Sequence, residues 1–371
     1  MSVSLRDIAK LAGVSAATVS RVLSDPAHRT ASPDTADRIW RIAREHNYIP
    51  NQAAQALKRG GAADSPAATY VDVLMTRSGR RQSNPFFNEL LRMVELEAHR
   101  RAGIVSNVWY ETAFADDRRS RRADVERLLA NAGGGGKSDE NDGGGASSSG
   151  HEALVVIGRC NREVLKALAD RYRAVVSINR STCSFAVDEV TCDGARIAAV
   201  SVDYLVGLGH RHIGYAGVCQ SEPRYRGFQE ALIRHGLMLD PAAIVDCEPT
   251  EAAARSVFTR LMRCEESPTA VVCGSDTLAL GLMRQLELQG HRYWRPSLVG
   301  CDDIEECQLV RPMLTTVGMS KQDMAHVACG LLFDRLAGGH RAPLRVEVEC
   351  RLMVRESCFR VSGSDNIEYI I

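Results

Sequence analysis

The stretch VSAATVSRVL, residues 14–23, sets one long cation, Arg21, at the end of a run of small side chains. A guanidinium on such a helix can donate two parallel hydrogen bonds to the O6 and N7 of a guanine in a DNA major groove. Ala16, Ala17, Thr18 and Ser20 are slim enough to let the backbone approach base edges and phosphates, and Ser15 stands where an N-cap is wanted. The competing reading is a helical cap that binds nothing, with Arg21 solvated. Further on, NQAAQALKRGG (51–61) has Asn51 as an N-cap, a slim face of Ala53, Ala54 and Ala56, and Gly60-Gly61 as a stop. Its only large apolar residue is Leu57. A helix this short is marginal alone, but docked on a twin helix and a minor groove it would present Leu57 as a wedge between base steps. The plainer alternative is a linker helix with Leu57 packed on the core.

Other chemistries find no support in the residue pattern. The sequence contains no G-x-S-x-G elbow and no H-E-x-x-H pair, and its twelve cysteines are scattered without C-x-x-C or metal-ligand spacing. They read as reduced, mostly buried thiols. His210 and His212 read as turn and strand-initiating residues rather than catalytic ones. NAGGGGKS (131–138) imitates a phosphate-binding loop, yet its first Gly is missing and it has neither the preceding strand nor the following helix the motif needs. The enclosing GGGGKSDENDGGGASSSG (133–150) reads as a low-complexity surface loop. No enzyme, metal or cofactor is expected.

The elements that must position Arg21 follow from apolar spacing. Leu5, Ile8, Ala9 and Ala12 predict a helix over 5–12, ended by Gly13. Ser15 caps a second helix with Val19 and Val22 or Leu23 turned inward. Ser32-Pro33 starts a third helix, lined by Ile39, Ile42 and Ala43. Helix, tight turn, helix and supporting helix make a helix-turn-helix module. Residues 1–60 hold nine Lys and Arg against five Asp and Glu, although the whole chain balances 46 against 46. That excess of four positive charges points weakly to an anionic partner for this segment. GGAADSPAA (60–68) reads as a linker.

From Tyr70 onward, strands are predicted at 70–75, 153–158, 174–178, 212–217, 270–274 and 297–301. Helices are predicted at 87–101, 122–132, 161–171, 194–208, 223–236, 251–263, 276–289 and 321–337. The alternation implies parallel sheets covered by helices, in two α/β lobes. Hydrophobic residues make up 45% and charged residues 25% of the 371, a soluble globular profile. The N-terminus MSVSLRDIAKLAG lacks the apolar core of a signal peptide, and no apolar run is long enough to span a bilayer. A cytoplasmic, nucleoid-associated protein with no membrane partner is expected.

LRDIAKLAGVSAATVSRVL, the 48–57 stretch and the α/β body together resemble the LacI/GalR family of bacterial transcriptional repressors, over roughly residues 4–358. The resemblance implies a helix-turn-helix domain (1–48), a hinge helix and linker (49–68), and a two-lobed effector domain like the periplasmic binding proteins. Its lobes would be 69–191 with 318–345 and 192–317 with 346–358, followed by a tail (359–371). It makes Ala16, Ala17 and Arg21 base-reading positions, puts Thr18 and Ser20 nearby or on phosphate, and adds Ser15, Asn51, Ala54, Leu57 and Lys58 to the DNA-contacting set. Two alanines at reading positions leave thymine methyls or Arg21 alone to carry specificity.

The same resemblance places a small-molecule effector, a sugar or sugar derivative, between the lobes near the C-terminal ends of strands. SNPFF (83–87) offers Phe86 as a stacking ring, with plain core as its other reading. RYRGFQEAL (224–232) matches R-x-x-G-[FY] and offers Arg224. CGSDTLALG (273–281) offers Ser275, VGCDDIEE (299–306) offers Asp302, and Asp193 borders the cleft. Asp302 suits bidentate bonding to sugar hydroxyls, although it and Arg224 could instead pair with each other. The chain departs from the family at Ser275 for the usual Asn, at Gly194 for another Asn, and at Ile197-Ala198 for a Gly pair. Arg77, Arg80 and Arg81 are extra cations that a phosphate or sugar acid could use, or solvated loop charges. A homodimer on double-stranded operator DNA is expected, without a coiled-coil tail, because FRVSGSDNIEYII has no leucine heptads. The alternative function is a solute-binding protein of the periplasmic type with no DNA role.

Overall fold

A computed structural model describes residues 5–24, 32–45, 69–77, 84–115, 126, 152–179, 186–220, 222–288, 294–361 and 367–369. The expected hinge residues Asn51, Ala54, Leu57 and Lys58, Arg80 and Arg81, the 133–150 loop and all but one residue of the 122–132 helix lie outside them.

The N-terminal helices are α1 (Leu5–Ala12), α2 (Ala16–Ser24) and α3 (Pro33–Glu45). Ile8, Ala9 and Ala12 of α1 meet Val19, Val22 and Leu23 of α2 and Ile39, Trp40, Ile42 and Ala43 of α3 in one apolar cluster. Ile8 and Ile39 are wholly buried, and truncating either to Ala would cost about 2–5 kcal/mol. Gly13 adopts φ +66, and the Val14 amide donates back to Ala9 O at 3.0 Å, the left-handed stop that the sequence implied. The Ser15 and Ser32 hydroxyls accept from the amides of Thr18 (3.1 Å) and Thr35 (3.4 Å), so both predicted N-caps form.

The chain divides into two compact units, 1–191 with 321–346, and 192–320 with 347–371. The first contains the sheet β11-β5-β4-β3-β1-β2, built from β1 (Thr69–Met75), β2 (Gly103–Tyr110), β3 (Ala153–Ile157), β4 (Ala174–Asn179), β5 (Asp188–Thr191) and β11 (Arg345–Glu347). Strands β1 to β5 pair in parallel. Helices α4 (Pro85–Arg100), α5 (Arg162–Ala169) and α10 (Lys321–Leu336) belong to this unit. The second has the order β12-β10-β9-β8-β6-β7, from β6 (Ile213–Gly217), β7 (Ile244–Asp246), β8 (Ala270–Cys273), β9 (Ser297–Asp302), β10 (Thr315–Met319) and β12 (Cys350–Met353). Its helices are α6 (Gly194–Gly207), α7 (Pro223–Arg234), α8 (Ala254–Leu261) and α9 (Asp276–Leu288). β12 runs antiparallel to β10, while the other pairs are parallel. Burying both faces of a parallel sheet explains why β3, β4, β8 and β9 read as continuous apolar runs.

The strands that the apolar pattern missed have specific disguises. β2 is half-buried along most of its length and mixes polar with apolar residues. β5 reads Asp-Glu-Val-Thr and is buried throughout. Its two carboxylates are admitted because Asp188 receives Arg335 at 2.6 and 2.7 Å, His340 at 2.9 Å and the Leu344 amide at 2.9 Å, while Glu189 receives Arg345 at 2.6 Å. These partners hold the Asp188 carboxyl below the usual range although burial alone would raise it. The expected 251–263 helix divides into a single 3₁₀ turn and α8. The tail forms a small hairpin, β13 (Phe359–Val361) with β14 (Ile367–Tyr369). Among the described residues no helix is long and apolar enough to cross a membrane.

Candidate functional site

Two sets of side chains hold the expected site residues, one exposed on a helix and one buried at a sheet edge. Among the residues of α2 whose burial is described, the exposed ones are Ala17, Ser20 and Arg21. Their spacing of three and four places them on one helical face, opposite the buried Val19, Val22 and Leu23. Ala16, expected beside Ala17 as a reading position, is half-buried and packs against the three-helix core. Its methyl therefore serves packing, because the position falls on the rim of the inner face. The hydroxyls of Ser15 and Thr18 lie 2.8 Å apart, and Ser15 also takes the Thr18 amide, so both are engaged at the helix start. Ala17, Ser20 and Arg21 remain as the projecting trio.

The second set lies at the C-terminal edge of the second unit's sheet. Arg224, in the first turn of α7, has only 8% of its surface exposed. Its Nε donates to Glu222 Oε1 at 2.9 Å, and its Nη1 donates to Gly274 O and, at 3.8 Å, to Cys301 Sγ. Burial opposes its charge, but the Cys301 sulfur, Glu222 and Asp302 more than offset that. The salt bridge that sequence reasoning weighed between Arg224 and Asp302 is thus made to Glu222 instead. Asp302 ends β9 and is 3% exposed. It takes φ +123, and Asp303 takes φ +50. Two consecutive non-glycine residues with positive φ are held there at a cost of order 1–3 kcal/mol each, a kind of strain that concentrates at ligand sites. Arg355 Nη2 donates to Asp303 at 2.5 Å and anchors the turn. In the same unit Tyr215, Tyr225 and Phe228 pack ring against ring, with Tyr215–Tyr225 centroids 5.2 Å apart.

Three other expected contacts have structural employment. Asp193 Oδ1 accepts from the amides of Ala195 (2.8 Å) and Arg196 (3.2 Å) and so caps α6. Ser275 Oγ donates its only proton to Pro249 O at 2.7 Å and accepts from Leu278 N at 3.2 Å, capping α9. Phe86, in the first unit, is 1% exposed, sits edge-on to Phe87 and has the Lys321 ammonium 5.4 Å from its ring centre. It is a core ring, the plainer of its two readings.

Sequence reasoning passed over Asp276. This carboxyl is wholly buried, accepting from Thr316 Oγ1 at 2.6 Å and Ile304 N at 3.0 Å. Desolvation first, and then the neighbouring Asp302, push it up to about 7. The signal was Gly300 in VGCDD: a Cβ at that position would overlap Asp276 Oδ1, so the strand needs a glycine to admit the acid. Gly227, the fixed glycine of the RYRGF motif, has a similar origin. A Cβ there would land on the Ala195 backbone, because α6 and α7 pack in near contact. His210 is a core residue, held by Thr269 and Ser297 hydroxyls at 2.9 Å and shifted down to about 4 by burial. Eleven described cysteines are free thiols.

Two family descriptions match the chain: bacterial regulatory proteins of the lacI family over residues 4–51, and a periplasmic binding protein-like domain over 202–358. The HTH-type transcriptional repressor CytR of Escherichia coli (strain K12) is 26% identical over 364 residues, covering 95% of both chains. The HTH-type transcriptional repressor MelR of Bacillus subtilis (strain 168) is 25% identical, covering 96% of this chain and 97% of its own. A transcriptional regulator CelR–cellobiose complex superposes with a TM-score of 0.62 at 22% identity, over 96% of this chain and all of the other. The lac repressor dimer bound to operator and the anti-inducer ONPF gives 0.59 at 20% identity, over 96% and 99%.

Proposed function

We propose that the chain, which carries a lacI-family regulatory domain over residues 4–51 and a periplasmic binding protein-like domain over 202–358, is a LacI-family sequence-specific DNA-binding repressor whose operator affinity is set by a small-molecule effector. The observation that carries this reading is the outward face of α2. Ala17, Ser20 and Arg21 project from a helix whose other side is fixed by a closed apolar core. Such a face enters a major groove, where Arg21 reads guanine and the Ala17 methyl favours thymine. Leu57, with Asn51, Ala54 and Lys58, supplies the hinge contact in the minor groove of a homodimer reading two half-sites. CelR is seen with cellobiose, and a sugar or sugar derivative is the effector class proposed here, held by Asp302 and Arg224. The protein acts in the cytoplasm on chromosomal DNA, and regulation rather than catalysis is its role.

The effector must bind one conformation better than the other to change DNA affinity. A hundredfold change requires about 2.7 kcal/mol of coupling. Selection from random duplex DNA, at low and moderate salt, tests the reading. A pseudopalindrome with a pyrimidine–purine centre is the expected product. Enrichment of nothing, with and without pooled sugars, would refute sequence-specific binding and favour the solute-binding alternative.

A further inference from the structure

We propose that Glu222 makes the effector site selective for uncharged polyhydroxylated ligands, free sugars or nucleosides, over their phosphorylated or carboxylated counterparts; this rests on Arg224 and Asp302 forming that site. Arg224 is the cation that an anionic ligand would seek. Its Nε is already bonded to Glu222 Oε1 at 2.9 Å, and its Nη1 to Gly274 O and Cys301 Sγ. Among the described residues Nη2 carries no bond, so it retains donors for a hydroxyl.

The N-terminus of α7 is the other place where an anion would settle, since its free amides and helix dipole favour negative charge. That position carries a negative charge of the protein's own. Glu222 is the N-cap residue, makes no capping bond with its side chain, and turns its carboxylate onto Arg224. Pro223 follows it and removes one amide from the first turn. An incoming phosphate, with a charge near −1.5 to −2, would meet a guanidinium already neutralised, a carboxylate beside the helix start, and the buried Asp302 close enough to Arg224 to act on its charge. A sugar meets the same groups as assets: Asp302 oxygens accept from adjacent hydroxyls, and Arg224 Nη2 donates to them. Rejection by like charge is how such a site would separate two ligands that share every other group.

The test is titration of the full-length protein by calorimetry with matched pairs: glucose and glucose 6-phosphate, ribose and ribose 5-phosphate, adenosine and adenosine monophosphate. Operator retention is measured alongside. The expected result is that a neutral member binds at least tenfold tighter than its phosphate. In Glu222→Gln the phosphate should gain about tenfold and the neutral partner change by less than threefold. Because Gln could disturb the α7 start, a second measurement uses the wild type alone: raising salt from about 20 to 500 mM should narrow the gap, as screening weakens the repulsion. Equal or tighter binding of a phosphate by the wild type would overturn the role of Glu222 and leave the effector reading intact. Binding of neither member of any pair, with operator retention unmoved, would overturn both.

Discussion

Replacing Asp276 by Asn separates a titrating acid from its surroundings. The carboxyl is wholly buried, and desolvation with the neighbouring Asp302 raises it from 3.8 to about 7, against the pull of Thr316, Ile304 and Cys307. At about 1.4 kcal/mol per tenfold change in proton affinity, that rise corresponds to about 4 kcal/mol. The folded protein holds this proton more tightly than the unfolded chain does. The associated stability is therefore fully present below about pH 4, the unfolded value, and is lost as pH climbs through about 7. Both carboxyl oxygens accept hydrogen bonds, and Asn can keep only one of them, so the variant is less stable at acid pH, where the wild-type carboxyl is protonated. The discriminating quantity is the pH slope. Urea unfolding of wild type and Asp276→Asn at about pH 4, 5.5, 7 and 8 should show the wild-type advantage shrinking by up to about 4 kcal/mol between pH 4 and 7. Parallel profiles for the two proteins would refute the reasoning and place Asp276 as an ordinary ionised residue.

Arg21→Ala should cost about 1–3 kcal/mol of operator affinity and relax choice at one base pair per half-site, read by binding to a panel of operator variants. Leu57→Ala should weaken operator binding far more than binding to random DNA; equal losses on both would remove the wedge. Gly227→Ala forces α6 and α7 apart against the Ala195 backbone and should cost about 3 kcal/mol or more, with an unchanged melting temperature as the contrary result.

Local chemistry was the legible part of the sequence. Gly13, Ser15 and Ser32-Pro33 announce their turns and caps through backbone preference alone, and the helix-turn-helix follows from them. The buried parallel strands are legible because both their faces are apolar. β5 is not, since Asp188 and Glu189 look like loop residues until Arg335, His340 and Arg345 come back from far along the chain to meet them. The site divides in the same way. Asp302 ends β9, as its strand-end motif implied, while Arg224 opens α7. Ser275 and Asp193 carry polar groups in the right place that also cap helix starts, a demand that motif spacing does not express. Ala16 differs from Ala17 by one residue, and that step rotates it onto the rim of the core.

The ion network around Asp188 also bears on how this protein can be recombined. Asp188 and Arg335 are 147 residues apart in the chain, yet a graft that replaces one segment without the other would leave a buried carboxylate facing no cation, at a cost of about 3–5 kcal/mol. Residues 188–189 and 335–345 are in that sense a single unit of inheritance. Chimeras made with relatives should exchange both segments together, and insertions between Leu336 and Arg345 should be excluded from viable libraries, because they would carry His340, Leu344 and Arg345 away from the carboxylates they serve.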